Sequence, residues 1–179
     1  MTDKKNFVVL VDENDNPVGL MEKLQAHLHP ALHRAVSLLV FNTKGEWLLH
    51  QRANEKYHSG GLWTNACCTH PYPDEKHEDA ARRRLLEEMG IKTEIHFTPA
   101  FDFIYKAKVA DELTEYEYDR VFTCVTDELP KPNPQEVQDW KYTSHDQLKI
   151  DLKENPEKYT EWFKIIFERV NMTNTNIPF

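Results

Sequence analysis

Residues 73–90 read PDEKHEDAARRRLLEEMG, and the fold turns on how that stretch is taken. Asp74 is available as an N-cap, acidic residues follow early, and Gly90 stands where a helix would end in the left-handed conformation that glycine tolerates best. Ala81, Leu85 and Met89 recur at helical spacing and mark the face to be buried. The spacing predicts a helix over residues 73–90.

The flanking sequence reads mostly as strands. Phe7 to Val11 is apolar, and residues 12–17, DENDNP, form a turn cluster. Ala35 to Phe41 is β-branched and aromatic, residues 42–45 turn, and Trp47 to Arg52 returns, which predicts a hairpin. Between them, Glu22 to Arg34 is interrupted by Pro30 and reads as loop or broken helix. Downstream, Ile95 to Ala107 and Tyr116 to Val125 read as strands, and Pro130, Pro132 and Pro134 mark a loop. Asn155-Pro156 opens a last helix, in which Tyr159, Trp162, Phe163, Ile166, Phe167 and Val170 form an apolar face that must pack on the sheet. Residues 171–179 read as a loose tail.

The 179 residues suit one domain over 1–179, with 40% hydrophobic and 29% charged residues in a globular balance. A formal charge of -8 argues against a broad nucleic-acid surface, so any basic site must be local. Met1 to Val11 lacks the apolar core of a secretory signal, and no apolar run approaches the roughly 20 residues that cross a bilayer. A soluble, cytoplasmic protein is expected. Three cysteines, none in a CxxC pair, suit a reducing compartment.

Residues 115–118, EYEY, alternate acid and ring, so on a strand Glu115 and Glu117 share one face; a solvated edge strand is the competing reading. Histidines supply context. His27 and His33 flank Pro30, and His70 ends a stretch from Trp63 that carries no other charged or ionisable group except its thiols. Three histidines and two glutamates suit Mg²⁺, Mn²⁺ or Zn²⁺, and the number of donors favours octahedral geometry over structural zinc. Spacing does not select His27 over His29. His29, His50, His58, His77, His96 and His145 are read as surface or satisfied core.

If residues 66–70 are extended, Cys68 and His70 share a face and Cys67 points the other way. A thiol beside a metal, with an ordinary pKa of about 8.5, is within reach of acid–base work at neutral pH. Cys67 and Cys124 read as small hydrophobes. Arg84 and Glu88 are four apart on the helix, an arrangement equally suited to a phosphate oxygen with a metal or to an ordinary ion pair. Lys23, Arg52 and Lys56 add the cations that a diphosphate would need in an otherwise acidic chain.

Glu22-Lys23, His27 to His33, Leu48 to Lys56, Trp63-Thr64-Asn65 through Cys68 to His70-Pro71, Tyr105, Glu115, Glu117 and Trp162 together resemble the type 1 isopentenyl-diphosphate delta-isomerases, a branch of the Nudix superfamily, over nearly the whole chain. The Nudix box, G-x5-E-x7-R-E-U-x-E-E-x-G-U with U aliphatic, lies over Thr69, Glu75, Arg83, Arg84, Leu85, Glu87, Glu88, Gly90 and Ile91. Thr69 replaces its first glycine, and Arg84 stands where hydrolases need a metal-binding carboxylate. The change disfavours pyrophosphohydrolysis and favours clamping of a diphosphate.

The resemblance implies an α/β (α+β) fold, a Nudix-type mixed sheet between helices with added N-terminal strands and a C-terminal helix. It implies Cys68 and Glu117 as proton-transfer residues, with Tyr105 assisting, and a metal held by His27, His33, His70, Glu115 and Glu117. It also implies a Mg²⁺ on the diphosphate, held by Glu88 and the Cys68 backbone carbonyl, with Lys23, Arg52, Lys56 and Arg84 as diphosphate partners. Trp162 would face the developing positive charge, a place that core packing explains as well. The expected partner is a small prenyl diphosphate rather than nucleic acid or membrane, and the chain is expected to be a monomer or homodimer. A Nudix pyrophosphohydrolase and a noncatalytic metal-binding module are the competing readings.

Overall fold

Strand β3, His33–Phe41, organises the molecule. In the computed structural model, which describes residues 4–92 and 94–172, β3 pairs antiparallel with β1 (Phe7–Val11), β4 (Trp47–Arg52) and β6 (Cys67–Thr69). It pairs in parallel with β8 (Thr114–Val125), placing His33 opposite Glu117. Strand β2 (Pro17–Glu22) flanks β1, β5 (Trp63–Asn65) and β9 (Val137–Thr143) flank β4, and β7 (Thr98–Lys108) flanks β8. The sheet is therefore mixed, as expected.

The period-two alternation of β3 divides the core. Val36, Leu38 and Val40 pack with Leu85 and Met89 of helix α2 (His77–Met89). Leu39 and Phe41 pack with Trp162, Phe163 and Ile166 of helix α4 (Glu161–Met172). Helices thus cover both faces. His33 and Ser37 have the parity of Leu39, so they look toward the α4 side.

Several boundaries differ from expectation. Residues 22–34 contain a short helix, α1 (Lys23–Leu28), that ends before Pro30, and β3 begins at His33. Helix α2 starts at His77 with Lys76 as N-cap; Asp74 instead occupies a left-handed turn at φ 71°. Gly90 ends that helix at φ 66°, as read. Strand β7 begins at Thr98 rather than Ile95. Pro156 opens a 3-10 turn, Pro156–Lys158, and α4 begins at Glu161. Helix α4 continues through residues 171 and 172, and the rest of the expected tail lies outside the described residues. Strand β9 and helix α3 (His145–Glu154) were not anticipated. No helix among the described residues is long and apolar enough to cross a membrane.

Candidate active site

Two backbone carbonyls orient two of the histidines. His27 Nδ1 donates to Lys23 O at 2.6 Å inside α1, and His33 Nδ1 donates to Ala31 O at 2.8 Å. A carbonyl only accepts, so each Nδ1 carries a proton, and the unpartnered Nε2 of neutral His27 presents a lone pair. His70 Nε2 lies 3.2 Å from His33 Nε2 and donates to Glu117 Oε1 at 2.8 Å. Ligand atoms of His27, His33, His70 and Glu117 lie within 4.8 Å of one another. His27 is fully buried, whereas His29 is exposed, which separates the two candidates that spacing left equal.

This group fits a divalent metal. His27 Nε2 is buried and has no hydrogen-bond partner among the described residues, an orphan that a metal would satisfy. Burial holds the His27 imidazole below its ordinary range, and burial followed by the Lys23 charge lowers His70 to about 3. Both are therefore neutral at pH 7, the form that binds metal.

Glu115 stands one step away. Its carboxylate groups with His27 and His58 rather than with His33, His70 and Glu117, and His58 Nε2 lies 3.6 Å from Glu115 Oε1. Tyr105, across from Glu117 on β7, sets its hydroxyl 2.7 Å from Glu117 Oε2 and 2.9 Å from Glu115 Oε2. The tyrosine hydroxyl is the donor shared by the two carboxylates. Burial, then the neighbouring Glu117, pushes the Glu115 carboxyl well up. Burial also works against ionised Glu117, but hydrogen bonding to His33 and His70 outweighs it and holds Glu117 well below the carboxylate range.

The extended reading of residues 66–70 holds for 67–69, which form β6, whereas Ala66 lies in a bend. Cys67 is fully buried against α2, where its thiol reaches Ala81 O at 3.7 Å, while Cys68 opens onto a cavity of about 250 Å³ with His70, Glu115 and Glu117 in its wall. Burial, then Asp119, raises the Cys68 thiol well above its ordinary range. Cys68 therefore rests protonated in the same cavity lining as Glu117.

The cavity lining is rich in cations. Lys23, Arg52, Lys56 and Arg84 all line it, as do Lys5 and Arg83, together with Glu88 and Trp162. Arg52 is aimed by bonds from Nε to Ser59 O at 3.1 Å and from Nη2 to His58 O at 3.2 Å, and it stacks 5.3 Å over the Trp162 ring. Trp162 is at once part of the apolar α4 face and part of the cavity wall. Arg84 pairs with buried Glu88 along α2.

His58, Tyr57 and Glu136 also line the cavity, although the sequence assigns them no role there. His58 is neither surface nor ordinary core, because it is buried between Glu115, His27 and Trp162. Tyr57 packs edge-on to His58, and Lys23 lies 5.6 Å over its ring. Glu136 binds Lys56 and Arg84. The only nearby signal was Gly60-Gly61: a side chain at Gly60 would collide with the Asn54 backbone, a sign that this loop packs closely. His50, by contrast, is satisfied core, its Nδ1 3.1 Å from Ala66 O.

The chain belongs to the Nudix family, whose NUDIX domain model matches residues 31–163. A Deinococcus radiodurans protein of solved structure shares the fold with a TM-score of 0.74 at 16% identity, covering 91% of this chain and 98% of that one. The MutT protein of Methanosarcina mazei Go1 does so at 0.64 and 21% identity, over 79% and 94%. Within that fold the chain belongs to the isopentenyl-diphosphate Delta-isomerases. It is 47% identical over 163 residues to that enzyme of Pectobacterium atrosepticum, covering 91% of this chain and 90% of the relative. It is also 47% identical to isopentenyl-diphosphate Delta-isomerase 2 of Aromatoleum aromaticum, over 91% and 85%.

Proposed function

We propose that this isomerase interconverts isopentenyl diphosphate and dimethylallyl diphosphate in the cytoplasm by two proton transfers, with Cys68 and Glu117 as the transferring groups. The observation that carries this reading is the placement of a thiol, Cys68, and a carboxylate, Glu117, in the lining of one small cavity. Moving the double bond adds a proton to one terminal carbon and removes one from the carbon beside the diphosphate-bearing end. The net proton change is zero, so one acid and one base suffice and no redox cofactor is needed.

Between the two transfers, positive charge rises on the tertiary carbon. Trp162 offers an electron-rich face in the wall and, with the apolar α4 residues behind it, keeps water out. Tyr105 fixes the Glu117 carboxylate through its hydroxyl. Lys23, Arg52, Lys56 and Arg84 hold the diphosphate, which sets the hydrocarbon end between Cys68 and Glu117.

His27, His33, His70 and Glu117, with Glu115 beside them, would hold Mg²⁺, Mn²⁺ or Zn²⁺, and Glu88 with the Cys68 carbonyl would hold a Mg²⁺ on the diphosphate. When bound, these ions supply fixed positive charge beside the reacting carboxylate and on the substrate's anionic end. Hydrolysis would need a carboxylate where Arg84 stands.

Cys68→Ala and Glu117→Gln are each expected to abolish isomerisation while the chain stays folded by circular dichroism, whereas Cys67→Ser keeps substantial activity. A dead Cys67→Ser variant beside an active Cys68→Ala would overturn the assignment.

A further inference from the structure

The loop before β9 brings an anion into the cationic wall. Glu136 Oε2 accepts from Arg84 Nη2 at 3.1 Å and from Lys56 Nζ. The backbone leaves it little freedom: Glu136 O accepts from Ala53 N at 2.9 Å, and Glu136 N donates to Asn133 O at 2.9 Å. The same loop is tied to the end of α2 by Lys131 N to Met89 O at 2.7 Å and Asn133 N to Glu88 O at 2.9 Å. Glu136 is thus held against the two cations by the elements that carry them.

An oxygen shared by an ammonium and a guanidinium is the contact that a phosphate oxygen would make. Arg84 is not saturated by its three carboxylates, since its Nε is buried and has no hydrogen-bond partner among the described residues. A diphosphate that reaches Lys56 and Arg84 must displace the Glu136 carboxylate from at least one of them, or bear its charge at close range.

We propose that Glu136 is an internal stand-in for the substrate's diphosphate: it keeps Lys56 and Arg84 in the cavity wall and yields them only to an anion that binds them better. Glu136 is thereby a specificity-determining residue. It raises the threshold for anions to enter, at the expense of affinity for the right one. The inference rests on the reading of the four cations as the diphosphate clamp.

The test is calorimetric titration of the full chain with inorganic pyrophosphate in the presence of Mg²⁺. Glu136→Gln, which keeps shape and an acceptor but removes the charge, is expected to bind pyrophosphate roughly three- to tenfold more tightly than wild type, the scale of a lost like-charge contact near a surface. The gain should vanish in a Lys56→Met background, because the competition is for that ammonium. Glu136→Ala repeats the charge removal if the Gln variant melts early. Unchanged or weaker binding in both Glu136 variants would overturn the proposal, since a mere brace loosens the cations when removed. If instead wild type binds no pyrophosphate, and Lys23→Met and Arg52→Met change nothing, the clamp reading itself fails.

Discussion

His27 reaches the centre of the site because its other nitrogen is occupied. The bond to Lys23 O, one helical turn back, fixes both tautomer and ring direction, so Nε2 arrives as a lone pair. Loss of such an outer partner alone typically costs roughly 10–100-fold in metal affinity, and loss of the ligand should cost no less. His27→Ala is therefore expected to lose bound divalent metal, read by elemental analysis of the purified protein, while His29→Ala retains it. Equal metal content in the two variants would contradict the assignment. At this scale the sequence was most legible where a strand sorts neighbours by parity: Glu115 from Tyr116, and Cys68 from Cys67. It was least legible where a turn or short helix does the sorting. His27 and His29 differ only in where a six-residue helix points them, and His58 gains its neighbours from α1, β8 and α4, none of which lies near it in the chain.

The end of helix α2 shows how an element positions chemistry. Its last carbonyls would be unsatisfied, but the loop after β8 donates to Glu88 O and Met89 O, which ties the helix to the loop bearing Glu136. Gly90 makes the junction possible. It sits at φ 66°, and a Cβ there would press into the Lys131 carbonyl. Gly90→Ala is expected to cost at least about 1–2 kcal/mol, the penalty of the left-handed conformation before any clash, as measured by urea denaturation. It should also raise KM by shifting Arg84 and Glu136. A variant with unchanged stability and KM would show that the junction is not strained. Helix α2 was readable from its stripe and its glycine. Helix α3 was not, because Leu148 is its only buried residue among the ten, and a helix that buries so little leaves no periodicity to read. The N-terminus of α2 was placed too early because Asp74 serves a turn rather than a cap.

Across the whole molecule, one strand carries the division of labour. β3 turns Val36, Leu38 and Val40 to the α2 core and sends His33 and Ser37 to the opposite side, where the parallel pairing with β8 delivers Glu117. That long-range register is what builds the site, and no local pattern in 33–41 or 114–125 specifies it. A net charge of -8 coexists with six Lys and Arg residues in the lining of one cavity, so the chain repels anions broadly while this cavity offers them a local concentration of positive charge. The central claim is that this arrangement moves a proton pair and leaves the diphosphate intact. Its most direct test is to incubate the purified protein with isopentenyl diphosphate and Mg²⁺ and follow proton and phosphorus NMR together. The expected result is dimethylallyl diphosphate with both phosphorus signals preserved; release of inorganic phosphate or pyrophosphate with no dimethylallyl product would contradict it.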